Sequence, residues 1–244
     1  MAFQAQQIVS LACATAKVPG WVTQAGLMLN MILNELCTDY DLDVARFTFN
    51  FSFNTGAGQD SGPYVLPANW LRADRDNVFY TIQGVKYIMI PETIAEFNAQ
   101  VQQPGLNAYP QNYAVDNSPL ASGSAPNMYV WPPPSGAFPV TARYYSQMTD
   151  ITTPESSATI PWFPNQLYLQ RRLTGEMMLM ANDDRADTYL GGVDTTSGFE
   201  GASAILGRYL STKDDAQTVK RVTLDKRLFG PAFDRLRNTK TIGW

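Results

Sequence analysis

The chain has 244 residues, a formal net charge of −4 and no histidine, with 45% hydrophobic, 12% aromatic and only 16% charged residues. This composition supports a packed core, and charge well below the usual quarter or so points to a surface partly spent on contacts with neighbouring chains. The missing histidine removes the commonest catalytic base, general acid and metal ligand together.

Residues 2–17 are expected to form a helix, with Phe3, Gln7, Ile8, Leu11, Ala12 and Thr15 on one stripe. Pro19-Gly20 breaks it. A second helix is predicted over 21–38, with Val22, Ala25, Leu29, Ile32, Leu33 and Leu36 on one face and Met28 and Met31 widening it. A helix this broadly apolar is buried on several sides or shared with a neighbouring subunit. Cys13 and Cys37 fall on these helices without a CxxC or metal-ligand spacing, and read as small buried hydrophobes.

The period then changes to two. Phe47, Phe49, Phe51 and Phe53 alternate with small polar residues, which predicts a strand with one aromatic face turned to a core. Further strands are expected at 78–83, 86–90, 112–116, 127–131 and 137–147, punctuated by glycine and proline, with a short helix over 91–97. From Asn165 the helical period returns, with Leu169, Leu173, Met177 and Met180 on one stripe and Leu167 and Met178 at its edges. More helices are expected at 184–191 and 199–211 around a loop at 192–198. The fold class is α+β: a helical bundle body, an inserted antiparallel β-sheet or small barrel, and an extended C-terminal tail. The expected divisions are 1–42 and 161–212 for the body, 43–160 for the β-rich insert and 213–244 for the tail.

That tail holds eight basic and four acidic residues, a net +4, which leaves −8 on residues 1–212. Such asymmetry points to docking on an acidic partner. Its cations are interleaved with large apolar residues, which fits a protein groove better than nucleic acid. No run approaches about twenty apolar residues, so no membrane span is expected. No basic segment precedes the first apolar positions, so no secretory signal is expected and synthesis in a cytoplasm follows.

Catalysis finds little support, and no catalytic, cofactor-binding or metal-binding residues are assigned. No phosphate-cradling glycine motif is present. The pairs Asp39/Asp41, Asp183/Asp184 and Asp214/Asp215 lie near helix ends or in turns, where such side chains satisfy free amides. A carboxylate-only hydrolase is the residual enzymatic alternative. Base stacking on the phenylalanine strand or on Tyr144-Tyr145 lacks a flanking basic cluster, and adjacent Arg171 and Arg172 suit salt bridges between subunits better than phosphate contacts.

Three segments resemble the head–tail adaptor proteins of tailed bacteriophages, also called connectors or tail tubular protein A-like gatekeepers in short-tailed phages. They are Leu66-Pro67-Ala68-Asn69-Trp70-Leu71-Arg72, the pair Met128–Pro134 and Val140–Tyr145, and Ile160-Pro161-Trp162-Phe163 leading into the helix from Asn165. The resemblance implies a virion protein at the head–tail junction, made in the host bacterial cytoplasm, with no enzyme activity, cofactor or membrane. It further implies a ring of usually twelve copies below the portal protein, contact with a tail nozzle or other next tail component, and passage of double-stranded DNA without sequence reading. In that setting the tail residues Lys220, Arg221, Val222, Leu224, Lys226, Arg227, Leu228, Phe229, Phe233, Arg235 and Arg237 would dock into portal clefts. Leu29, Ile32, Leu33, Leu36, Arg171 and Arg172 would pack subunits together. A chain monomeric in isolation that assembles on the portal is the expected behaviour, because symmetric docking raises effective concentration. Another neck or tail subunit, such as a nozzle or tail-completion protein, is the structural alternative.

Overall fold

A computed structural model describes residues 3–53, 62–101, 108–117 and 125–215. The α+β class is as expected. Helices α1 (Ala5–Thr15) and α2 (Val22–Asp39) precede the β region, and α4 (Gln166–Met180), α5 (Ala186–Leu190) and α6 (Ala202–Asp215) follow it. One hydrophobic cluster joins all five, with Ile8, Leu29, Leu36, Leu169, Leu173 and Met177 almost wholly inaccessible.

The buried face of α1 is Ala5, Ile8, Val9, Ala12 and Cys13, displaced from the expected stripe, so that Phe3 and Leu11 are about half exposed. Alanine and cysteine let α1 approach α4 closely, which a stripe scored by residue size overlooks. On α4 the stripe at Leu169, Leu173, Met177 and Met178 is buried, whereas Leu167 and Met180 face solvent. Asn165 caps α4 by accepting the Tyr168 N–H at 3.1 Å. Gly175 admits Leu190 of α5, whose Cγ lies 2.6 Å from where a Cβ would stand.

Among the described residues, eight strands in two sheets lie between the helices. Strands β1 (Arg46–Ser52), β8 (Pro139–Ser146), β3 (Trp70–Ile82) and β4 (Val85–Ile88) form an antiparallel sheet in the order β1-β8-β3-β4. The second sheet runs β2-β7-β6-β5, from β2 (Tyr64–Val65), β7 (Asn127–Trp131), β6 (Asn112–Asp116) and β5 (Ile90–Glu92). The insert is thus two four-stranded sheets, and β5 pairs parallel to β6. The reason is α3 (Ile94–Val101), a crossover helix that returns the chain in the same direction. Its start lies later than the periodicity indicates, because Thr93 and Glu96 form a reciprocal capping box and Pro91 belongs to β5.

A second hydrophobic cluster fills the space between the sheets, centred on Phe53, Tyr80, Tyr113, Met128 and Val130. The four phenylalanines follow a gradient into it: Phe47 is 42% exposed, Phe49 and Phe51 are half-buried, and Phe53 is 1% exposed. Phe47 lies at the start of β1, whereas the second sheet's Tyr64 packs its ring against Phe51 and Phe53 near the other end.

The β region and the helices are joined by Arg72. Its guanidinium donates to the carbonyls of Cys37, Thr38 and Tyr40 at 3.0–3.1 Å, the exposed C-terminal acceptors of α2, and to the Asp41 carboxylate at 2.7 Å. The return crossing is pinned too. The Asn30 side chain exchanges two 3.0 Å hydrogen bonds with the Ile151 backbone, and Asn34 donates to Asp150. Arg72→Met should lower stability by about 2 kcal/mol in chemical denaturation, because it strips three carbonyls and a carboxylate of a charged donor while keeping the side-chain stem.

Candidate functional site

Of the segments that carry the family resemblance, 66–72 and 140–145 meet at this joint, while 128–134 and 160–163 lie in the two hydrophobic clusters. In 66–72, Leu66 is buried, Trp70 stacks on Tyr144 with centroids 4.7 Å apart, and Arg72 makes the helix contacts above. Asn69 donates to Ser146 and accepts from the Tyr144 hydroxyl, which ties the turn before β3 to β8. Tyr145 lies beneath the Arg72 guanidinium at 5.1 Å. Met128 and Val130 are buried between the sheets, and Phe163 is buried against Tyr168 and Tyr209. A cleft of about 330 Å³ runs along the joint, lined by Ala68, Asn69 and residues 147–150.

The residues expected to pack subunits together fall in two places. Leu29, Ile32, Leu33 and Leu36 are each at most 3% exposed within the chain's own helical cluster. The opposite face of α2 carries Leu27 and Met31, which are 62% and 63% exposed. Their i, i+4 spacing makes a stripe, continued one turn further by Glu35, which pairs with Arg172 at 3.3 Å. Arg172 also meets Glu176 at 2.9 Å. Arg171 turns the other way, and its guanidinium lies 4.0 Å from the Phe199 ring centre and 5.2 Å from that of Tyr189. Both arginines thus hold the chain's own helices together. The hydropathy pattern of α2 could not separate inward Leu29 from outward Leu27, because apolar residues occupy both sides.

The tail residues Lys220, Arg221, Val222, Leu224, Lys226, Arg227, Leu228, Phe229, Phe233, Arg235 and Arg237 lie outside the described residues.

One member of each of two acidic pairs is held by an arginine. Asp41 accepts from Arg72, and Asp183 binds Arg185 at 2.6 Å; hydrogen bonds from that guanidinium and the Arg185 amide hold its carboxyl down at about 2. Asp39 is exposed at the end of α2 and Asp184 follows in the turn after α4, while the Asp214 and Asp215 side chains lie outside the described set. Among the described residues no cluster of His, Cys, Asp or Glu is arranged to hold a metal ion, and no helix is long and apolar enough to cross a membrane. Both cysteines are free and buried, and burial pushes both thiols up.

The joint, the two sheets and the flanking helices together span the match to one family model, that of the SU10 adaptor protein, over residues 6–223. The chain belongs to the SU10 adaptor protein family. It is an adaptor-type structural protein of a bacteriophage. The family match runs through the whole helix–sheet–helix layout and ends within the basic tail. No curated protein matches the chain.

Tyr168 reports on the adaptor's helical core. Burial pushes its phenol up to about 12, against a smaller lowering by Arg172. An unfolded chain releases this proton near pH 10 and the folded chain near 12. Over that window the unfolded state binds fewer protons, so stability falls as pH rises. The Tyr168→Phe variant should show a shallower loss of denaturation midpoint between about pH 10 and 12.

Proposed function

We propose that this adaptor forms a ring between the portal protein and the tail of the virion, continuing the path along which double-stranded DNA leaves the head. The observation that carries this reading is the Leu27–Met31 stripe. Two large side chains more than 60% exposed on the outer face of an otherwise packed helix are suited to burial against the neighbouring copy. The low overall charge supports the same use of surface, and the −8 on residues 1–212 suits a channel that must not retain DNA phosphates.

Ring formation of this kind needs only weak pairwise contacts. A twelve-fold portal gathers copies at high effective concentration, so a subunit monomeric in solution can close a ring on the template. The tail from 213 onward supplies the template contact, with its cations meeting acidic portal groups and its phenylalanines and leucines filling clefts. The far side of the ring receives the nozzle or next tail component.

Two experiments separate the parts. The double variant L27D/M31D should keep its melting temperature within a few degrees, since both positions face solvent, yet fail to cofractionate with portal particles. Leu29→Asp, at a site with 0% exposure, should instead unfold the chain. Truncation after Asp215, where α6 ends, should leave the cooperative thermal unfolding of the remaining chain intact and abolish portal attachment. A truncated chain that joins portal particles normally removes the docking role from the tail.

A further inference from the structure

We infer that the antiparallel sheet continues from one copy of the chain to the next, with β4 of one copy pairing with β1 of its neighbour. The inference deepens the ring reading above, since it rests on copies that associate head to tail.

Among the described residues, no strand covers either edge of that sheet. Among the described residues β1 pairs only with β8 and β4 only with β3. Phe53 donates its N–H to Phe138, so the alternation of an antiparallel ladder turns the backbone groups of Thr48, Asn50 and Ser52 away from β8. Met89 likewise donates to Val78, which turns the backbone groups of Lys86 and Ile88 away from β3. All four residues of β4 are exposed, and Val85, Tyr87 and Ile88 are 55%, 41% and 61% accessible.

Soluble proteins protect lasting edges with charge, proline or bulges. Here the outward positions of β1 carry Arg46 at its start and then threonine, asparagine and serine, and β4 carries a single lysine between apolar residues. The register shifts of this sheet fall between β3 and β8, leaving β1 with regular pairing along its whole length. An edge this regular, with its one charge at the Arg46 end held by Asp43 and Asp74, is suited to a partner strand.

A second copy fits that role by direction and by side chains. Four antiparallel strands leave β1 and β4 running in opposite senses, so β4 of one copy meets β1 of the next as an antiparallel pair without inverting either chain. The centred register sets Lys86 opposite Asn50 and Ile88 opposite Thr48. It also sets Tyr87 opposite Phe49 on the aromatic face. That contact links the Tyr80–Tyr87–Tyr109 stack of one copy to the Phe49–Phe51 stack of the next. Because β1 meets β4 and not itself, the contact is head to tail, as a ring requires.

The test is cross-linking of full-length chains carrying N50C and K86C, whose directly opposed positions would lie within disulfide reach. Cys13 and Cys37 are buried and do not compete. Oxidation of assembled particles containing the double variant should give a ladder of covalent multimers, and each single variant should give none. Particles that incorporate the double variant without a ladder would overturn the sheet continuation while leaving the ring reading intact. Dimers from N50C alone would overturn it in favour of symmetric β1–β1 pairing. Should the double variant stay out of particles, the soluble chain is oxidised at high concentration, where absence of the ladder again overturns the proposal. As an independent readout, N50K should lower incorporation severalfold by opposing Lys86, and N50K with K86E should restore it.

Discussion

An α-helix ends in carbonyl groups with no partner inside the helix, and α2 presents the last of its own where the chain turns into the β region. Arg72 takes the carbonyls of Cys37, Thr38 and Tyr40 and the Asp41 carboxylate with one planar guanidinium, while Tyr145 supports it from below. A lysine could not replace it. One ammonium offers three donors from a point, whereas the guanidinium spreads five across a fork wide enough for acceptors on successive residues. The joint therefore fixes where β3 begins relative to α2, and β8 follows from its register with β3. Asn30 then pins the outgoing strand's continuation to the same helix, so the sheets are tied to α2 at both crossings.

This double tie determines which surfaces remain for other molecules. With Leu29, Ile32, Leu33 and Leu36 turned into the helical cluster, α2 offers Leu27 and Met31 on its opposite side. With β3 and β8 central, β1 and β4 are left as edges. The adaptor's outward surface is thus set by the same contacts that hold it together. Neither the stripe nor the edges need a separate fold element.

The sequence discloses these parts unevenly. Strict alternation at Phe47–Phe53 reveals a strand because only an extended chain turns every second residue to one side. It does not reveal that burial declines toward Phe47, since that depends on where the second sheet sits. Helices α2 and α4 are legible from their spacing, but the outward face of α2 is not, because Leu27 and Met31 are as apolar as the residues that are buried. Strand β2 is two residues long and carries no period at all. The segment 66–72 resembles a family motif without its chemistry being visible: the partners of Arg72 lie 31 to 35 residues earlier and are mostly backbone, so no residue pattern records them. The parallel pairing of β5 with β6 is hidden for a related reason. Three residues of strand before a short helix look like the helix's own approach.

Arg171 and Arg172 have partners within the chain that residue type alone does not disclose. Adjacent arginines on a helix look like groups reaching for another chain, yet one lies against Phe199 and Tyr189 and the other closes on Glu35 and Glu176. Partly exposed ion pairs of this sort add little stability individually. Their effect is to tie α4 to α2 on one side and to the segment before α6 on the other. An assembly contact built from Leu27, Met31 and the strand edges would then leave both arginines in their contacts within the chain. In the ring proposed above, that separation would suit a chain that stays folded and monomeric until a symmetric template brings its copies together. Each contact of such a ring would bury apolar or backbone groups already held in place, leaving little ordering cost to be offset on closure.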